Sequence, residues 1–264
     1  MTTIVAATDF STAGNGAVLR AAALAAHMGA RLHVFHAASF RIAPEQAEHF
    51  ASLVEGYFDT LRARIQCRFG PEIEVDCTDA TAWRAIHEAL DREETALLVV
   101  GPHVHPNGLD TFHGTFVERL LADCPVPVLV SMSPPKTPYR AALVTTDAKA
   151  PREAAMGFVR AIAPEAEVET MRIDPRDLDE KAACGEAQVE GGQDRKIMAP
   201  GGPRARIETQ VSAHGLDLVA LTGADPLKGL DAGFVKTPPC DLLIFAPLAT
   251  QRPARMETPV AGLA

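Results

Sequence analysis

The stretch ALLVVGPHVHPNGLDTFHGTFVERLL, residues 96–121, decides the fold class. It opens with five consecutive apolar residues, Ala96–Val100, stops that run at Gly101, and returns to helical spacing from Gly114. A strand that is apolar throughout is typical of a parallel sheet covered on both faces. The stretch therefore predicts a buried parallel strand, then a loop, then a helix.

The same alternation of strands and helices runs through the first half of the chain. The apolar runs predict strands over residues 3–7, 32–36, 72–77, 96–100 and 126–131. Apolar residues at helical spacing predict helices over residues 16–28, 44–70, 81–91 and 114–122. Strands that alternate with helices indicate a doubly wound parallel sheet, in which ligands bind beyond the carboxyl ends of the strands.

The pattern begins again after a proline-rich segment. Residues 141–146 lead to Asp147 much as the first strand leads to Asp9, and residues 218–222 end at Gly223 as residues 97–100 end at Gly101. The second copy is shorter, and a short helix with irregular chain is expected over 175–202. We predict a first domain over 1–133, a linker over 134–139, a shortened second domain over 140–248 and a frayed tail over 249–264.

Composition excludes several classes of function. A net charge of −9 and an aromatic share of 5% argue against a nucleic-acid-binding surface. The five cysteines form no C-x-x-C pair, so neither a zinc site nor a disulfide framework is indicated. With no charged leader and no apolar run as long as a membrane span, we expect a cytoplasmic protein without membrane or nucleic-acid partners.

Several motifs together resemble the universal stress protein family. They lie after the first strand, within the second, after the fourth and in the fifth: Thr8-Asp9-Phe10-Ser11, His33-Val34, Gly101-x-His103 leading to Gly114-Thr115, and Cys124-Pro125-Val126-Pro127-Val128-Leu129-Val130. The resemblance covers nearly the whole chain as a tandem pair. It implies an α/β fold of two doubly wound parallel five-stranded sheets, of the adenine nucleotide alpha hydrolase-like type, with the second copy shortened.

Nucleotide-binding members of that family carry glycine, two residues, glycine, nine residues, then glycine followed by Ser or Thr. Here Gly101 and Gly114-Thr115 keep the spacing, while Val104 stands at the second glycine position. If that position needs positive φ, a β-branched side chain strains the loop by about 1 to 3 kcal/mol. Charge-assisted phosphate hydrogen bonds contribute about 1.5 to 3 kcal/mol each, so the change weakens a site without abolishing it.

The resemblance implies a ligand set for ATP, or for AMP or ADP, with Mg²⁺. Its adenine and ribose side is Ala7 and Asp9, with a backbone contact to adenine at Val34. Its phosphate side comprises Val100, Gly101, Val104, His105, Gly114, Thr115 and Phe116. His105 stands where relatives often carry a basic side chain, and it is mostly neutral at pH 7.

Two of these assignments have a physical argument and an alternative. Gly114 and Thr115 would present backbone amides and a hydroxyl to an anion at a helix N-terminus, or they only begin and cap that helix. Asp9 could bind a ribose hydroxyl or help to hold Mg²⁺, although Asp after a strand is also a common turn and cap residue.

The second copy lacks these features. The chain after Gly223 is shorter, has no Gly-Thr pair at the required spacing, and puts Asp225 near the place of a phosphate. We expect the second domain to be a structural partner that binds no nucleotide, so that the two domains form an intramolecular pseudo-dimer. Protein partners are not indicated by the sequence.

Other motifs are set aside. The loop histidines His103, His105 and His113 lack convincing acidic or cysteine ligands, so no metal site is expected. Gly14-x-Gly16 lacks the third glycine of a dinucleotide fingerprint. Ser11 stands in no nucleophile motif and is expected to cap the first helix. We assign no catalytic residue.

The sequence leaves three candidate functions, ranked from the most to the least favoured. The first is a cytoplasmic stress-response protein with a nucleotide pocket in its first domain. The second is a nucleotide-free dimerisation and interaction scaffold in stress signalling. The third is ATP hydrolysis, which ranks last because the sequence offers no evident general base or phosphate-clamping Arg or Lys near the loop.

Overall fold

A computed structural model gives the architecture of the chain. It describes residues 2–37, 44–70, 75–80, 87, 90–91, 94–102, 124–132, 138–146, 152–173, 187–189, 195–197, 202–223, 226–227, 230 and 232–245.

The described elements of the first half follow the predicted order. Its strands are β1 Thr3–Thr8, β2 Arg31–Ala37, β3 Val75–Ala80, β4 Thr95–Val100 and β5 Val128–Val130. Its helices are α1 Thr12–Met28 and α2 Ala47–Phe69, the latter preceded by a 3-10 turn over Pro44–Gln46. The predicted third strand over 72–77 extends further than expected, because β3, Val75–Ala80, continues to Ala80; residues 72–74 lie outside the described residues. The predicted helix over 114–122 lies outside the described residues.

The second half repeats β1, β2, β4 and β5 with different insertions. Its elements in chain order are β6 Ala141–Thr146, α3 Arg152–Ile162, β7 Glu167–Arg172, β8 Ala187–Val189, β9 Arg195–Ile197, α4 Pro203–His214, β10 Leu218–Leu221, α5 Ala232–Lys236 and β11 Asp241–Ile244. The segment over 175–202 was expected to hold a short helix and irregular chain. Its described parts are instead two short antiparallel strands, β8 and β9.

Alternation along each strand explains the continuous apolar sequence. In β1, Ile4 and Ala6 belong to the core beneath α1 and α2, whereas Val5 and Ala7 belong to the core on the opposite face. Because both faces are covered, every position in the strand is apolar or buried. This confirms the doubly wound α/β class.

Helix α1 has well-defined ends. The Oγ of Ser11 accepts a hydrogen bond from the N–H of Gly14 at 3.0 Å, so Ser11 is the N-cap that the sequence predicted. The helix stops at Gly29, whose φ of +61° is the left-handed conformation that favours glycine. These ends fix α1 between the β1 and β2 strand ends.

The strands form one sheet, where two five-stranded sheets were expected. Its order is β3-β2-β1-β4-β5-β11-β10-β6-β7-β8-β9. The first five strands are parallel, as predicted, but the second half has four parallel strands followed by the antiparallel β8 and β9. The halves meet where β5 pairs antiparallel with β11, Leu129 opposite Leu243.

A buried polar cluster reinforces this seam. Asp241 accepts a hydrogen bond from the hydroxyl of Tyr139 at 2.7 Å and from the N–H of Met132 at 2.8 Å. Arg20 of α1 forms an ion pair with the same carboxylate, and its guanidinium lies 4.3 Å from the centre of the Tyr139 ring. The predicted linker over 134–139 therefore ends in a buried residue, since Tyr139 is 2% exposed.

Candidate functional site

The order of the strands creates a crevice at the carboxyl ends of β1 and β4. The chain runs from β1 outward to β2 and β3, then returns to place β4 on the other side of β1. Such a reversal is the topological switch point at which open α/β sheets bind ligands. Asp9 follows β1 and Gly101 follows β4, so the structure brings these two predicted site residues to adjacent strand ends.

Gly101 lies against the first turn of α1. A Cβ atom on Gly101 would come within 2.8 Å of the carbonyl carbon of Ala13 and 3.0 Å of the amide nitrogen of Gly14. Real Cβ atoms do not approach so closely, so any side chain here would displace helix or strand. Gly101 is therefore required for the close packing of β4 on the start of α1.

Gly14 is a second glycine that the site needs, and the sequence interpretation missed it. A Cβ atom on Gly14 would lie 2.6 Å from the carboxylate Oδ1 of Asp9 and 2.9 Å from the hydroxyl of Thr8. The available signal was a glycine five residues after Asp9 at the start of a helix. In the sequence, Gly14 belongs only to the incomplete dinucleotide fingerprint Gly14-x-Gly16.

Hydrogen bonds fix the turn that carries Asp9. The Thr8 hydroxyl oxygen accepts from the N–H of Phe10 at 3.0 Å and donates to the side-chain oxygen of Asn15 at 3.2 Å. The side-chain amide of Asn15 donates to the carbonyl of Phe10 at 3.1 Å. The N–H of Ser11 donates to Oδ1 of Asp9 at 2.9 Å. Hydrogen bonds thus hold the turn at both Asp9 and Phe10.

Asp9 has the turn role that the sequence left open, and its binding role stays a prediction. Its side chain is exposed at the crevice, and its Oδ1 closes the turn with Ser11. A carboxylate is an acceptor-only group when ionised and has about four lone-pair sites, which suits hydroxyl donors. The geometry is compatible with a hydroxyl-bearing ligand at this strand end.

The remaining described site residues are apolar and differ in position. Ala7 and Val100 lie in the last two residues of β1 and β4 and are 8% and 3% exposed. Val34 lies inside β2, fully buried beneath the helices, and pairs with Ala6 on one side and Cys77 on the other. The structure does not bring Val34 to the crevice, since its backbone is part of the sheet.

Most of the phosphate side of the expected site lies outside the described residues. This applies to Val104, His105, Gly114, Thr115 and Phe116. Their assignment remains a prediction. The same holds for the loop histidines His103 and His113.

An aromatic stack flanks the Asp9 turn. The ring of Phe10 lies 4.2 Å from that of His36 and 4.9 Å from that of Tyr57, measured between centroids, with interplanar angles of 16° and 19°. Phe10 has a φ of +62°, which is the left-handed region and is rare for a bulky side chain. Sequence periodicity gave no signal for this stack, because it joins three separate elements.

Threonine side chains stand at the corresponding strand ends of the second half. The hydroxyl of Thr222 donates to the carbonyl of Thr145 at 2.6 Å, and the hydroxyl of Thr145 donates to the carbonyl of Ala220 at 3.3 Å. Both hydroxyls are buried between β6 and β10. The first half has the apolar Ala7 and Val100 near the equivalent strand ends, so the two crevices differ in chemistry.

Burial lowers the reactivity of two of the described cysteines. Burial raises the pKa of the Cys124 thiol to about 11. Burial, with the charges of Asp241 and Asp217, raises the pKa of Cys240 to about 12. Neither thiol is a nucleophile near pH 7. Across the part of the chain that the structure describes, no group of three His, Cys, Asp or Glu side chains could hold a metal ion, and no helix could span a membrane.

Comparison with known proteins connects the first half of the chain with one family. Residues 1–131 match the family model of the universal stress proteins. A search of curated proteins gave no significant match. A universal stress protein from Archaeoglobus fulgidus DSM 4304 has a TM-score of 0.67 at 13% identity, covering 93% of this chain and 96% of that chain.

Two further solved structures extend the comparison. A protein of unknown function from Pseudomonas aeruginosa PAO1 has a TM-score of 0.55 at 14% identity, covering 94% of this chain and 93% of that chain. At such identities these two likenesses show the fold alone. A universal stress protein in complex with cAMP is 27% identical over 46% of this chain and 81% of its own, with a TM-score of 0.29.

Proposed function

This chain belongs to the universal stress protein family through its residues 1–131, and we propose that its first half binds an adenine nucleotide in the crevice between β1 and β4. One observation carries the proposal. Asp9 and Gly101 follow adjacent parallel strands on the two sides of the topological switch point. Open α/β sheets bind their ligands at this place.

The chemistry of the crevice suits a nucleoside. The exposed carboxylate of Asp9 can accept hydrogen bonds from ribose hydroxyls. Ala7 and Val100 supply apolar strand ends beside it, and Gly101 allows the close backbone approach of β4 and α1. Val34 is left out of the proposed contacts, because its backbone is paired with strands on both sides.

The phosphates would meet the segment between β4 and β5. There Gly114, Thr115 and Phe116 would begin a helix, whose free amides favour an anion. His105 would add a donor when protonated, and Val104 would weaken the site relative to glycine. We propose ATP, or AMP or ADP, as the ligand, with Mg²⁺ neutralising the phosphates because the chain is acidic.

The second half is proposed to be the structural partner in an intramolecular pseudo-dimer within the cytoplasm. Two observations support this proposal. The hydroxyls of Thr145 and Thr222 are bonded to carbonyls of β6 and β10, where the first half has apolar side chains. The sheet continues through β5 and β11, so the halves share one core.

Calorimetry with Mg²⁺ and ATP on nucleotide-stripped protein tests the proposal. One site per chain is expected, with a rise in melting temperature, because a ligand that binds only the native state stabilises it. Asp9→Asn keeps the turn acceptor and removes the charge, so affinity should fall about tenfold, the range of one charge-assisted hydrogen bond. Glu165→Gln, an exposed charge removed in the second half, should leave affinity unchanged.

A nucleotide-free interaction scaffold is the second candidate. Val104 at the glycine position of the family pattern favours it, as do the buried threonine hydroxyls at the equivalent strand ends of the second half. This candidate predicts that calorimetry detects no binding of ATP to the parent protein and measurable binding to Val104→Gly. Equal binding by parent and variant would reject it, and would show that the valine is tolerated.

A further inference from the structure

Phe10 connects the candidate site to the outer surface of α2. Its ring lies between those of His36 and Tyr57, at centroid distances of 4.2 Å and 4.9 Å. His36 is buried near the end of β2, whereas Tyr57 is 56% exposed. The three nearly parallel rings therefore form a continuous stack from the sheet to the solvent-facing side of the helix.

The backbone of Phe10 is held in a conformation that it would not adopt alone. A φ of +62° is disfavoured for a residue with a Cβ atom, and it persists only where the surroundings over-determine it. The N–H of Phe10 is bonded to Thr8 and its carbonyl to Asn15. The rings of His36 and Tyr57 then hold the side chain that this backbone conformation directs towards them.

The conformation of Phe10 determines where Asp9 points. The left-handed residue reverses the chain, so that the N–H of Ser11 reaches Oδ1 of Asp9 at 2.9 Å. The same Oδ1 lies against the α-carbon of Gly14, where a Cβ atom would be only 2.6 Å away. Release of Phe10 would therefore let the carboxylate leave the crevice.

We propose that Tyr57 is a positioning residue for the nucleotide site: it holds Phe10 in the left-handed turn that presents Asp9. This inference rests on the proposed function of the Asp9 crevice and adds a way for α2 to influence it. Since binding energies are linked, nucleotide at Asp9 also stabilises the docking of Tyr57 on Phe10. Anything that takes Tyr57 away from Phe10 lowers nucleotide affinity.

Two sets of variants separate this role from general packing. Tyr57→Ala should weaken Mg²⁺-ATP binding about threefold to tenfold, a range that ring stacking can supply. Tyr57→Phe keeps the ring, and Leu53→Ala removes a similarly exposed side chain one turn away on α2. Both should bind within about twofold of the parent.

The second set changes Phe10 itself. Phe10→Ala keeps the penalty of a left-handed backbone and loses the ring, whereas Phe10→Gly loses the ring and the penalty together. Phe10→Gly should therefore melt higher and bind ATP more tightly than Phe10→Ala. The reverse order would overturn the inference, since packing alone gives glycine no advantage.

Hydrogen exchange of the peptide over residues 8–15 gives a readout that needs no ligand. Tyr57→Ala should speed exchange of this peptide several-fold, while β6 and β10 keep the exchange of the parent. Exchange equal to that of Leu53→Ala would overturn the inference. If calorimetry shows no binding of ATP to the parent protein, the proposed function is rejected. The exchange rate of the peptide over residues 8–15 then still tests whether Tyr57 holds the turn.

Discussion

The Nε atom of Arg20 lies 3.0 Å from Oδ2 of Asp241, although one residue belongs to the first half of the chain and the other to the last strand. The contact is an ion pair without the alignment of a hydrogen bond. Both side chains are at least nine-tenths buried. The same carboxylate accepts from Tyr139 and from the backbone of Met132, so one group ties together α1, the end of β5 and the entry to β6.

Asp241→Asn should lower the free energy of unfolding by about 3 to 5 kcal/mol, because it removes the carboxylate that pairs with the buried guanidinium of Arg20. Urea denaturation measures the loss. In the double variant Arg20→Met with Asp241→Asn, the loss should be smaller than the sum of the two single losses. Strict additivity would contradict the coupling.

An exposed ion pair in α2 is the matched control. Arg62 and Asp59 lie 2.7 Å apart with side chains 38% and 67% exposed. Asp59→Asn should cost less than about 1 kcal/mol, as is usual for surface pairs.

Alkaline pH should destabilise the fold through Tyr139. Burial, and then the charge of Asp241, raises the pKa of this phenol well above its ordinary value. A raised folded-state pKa means that the stabilisation is complete below the unfolded pKa of about 10 and is lost as pH rises through the folded value. The unfolded chain releases the proton first, so stability should fall above pH of about 10.

Urea midpoints at pH of about 8 and about 11 check this, with Tyr139→Phe as the comparison. The variant should be less stable at the lower pH, because Asp241 loses a donor. Its further loss on raising the pH should be smaller than that of the parent. Equal losses in both proteins would show that other groups cause the alkaline effect.

Gly101→Ala should destabilise the protein by about 1 to 3 kcal/mol, the usual cost of overpacking. The added methyl would meet the backbone of Ala13 at 2.8 Å, and that backbone is the start of a capped helix. Gly157→Ala is the control, since its Cβ would meet nothing within 4 Å. In the interior of α3 it should stabilise by up to about 1 kcal/mol. Thermal melting that gave both variants the same sign would contradict the close approach at Gly101.

Much of the fold could be predicted from local pattern. The apolar run of β4, the N-cap at Ser11 and the strand over 141–146 were all readable, because each depends on a few neighbouring residues. The end of β3 was misplaced by three residues, since the strand continues to Ala80. Its limits follow its pairing with β2, Leu32 opposite Val75 and Ala37 opposite Ala80, and a partner strand is not visible in local sequence.

The candidate site was predicted in part. Asp9 and Gly101 were expected at strand ends, and the sheet order makes those ends adjacent. Gly14 was missed because its need arises from the carboxylate of Asp9, and Val34 was assigned to the site although the sheet encloses it. Phe10 gave no signal, since its conformation depends on rings from β2 and α2.

The sequence by itself determined the order of the described strands and helices in the first half, the α/β class and the repeated halves, because hydrophobic periodicity and capping act over one or two turns of chain. Only the tertiary structure decided that β5 and β11 join the halves into one sheet, that β8 and β9 pair antiparallel, and that Arg20 meets Asp241. These features arise from the choice of partner among distant segments. That choice depends on which surfaces can be buried together.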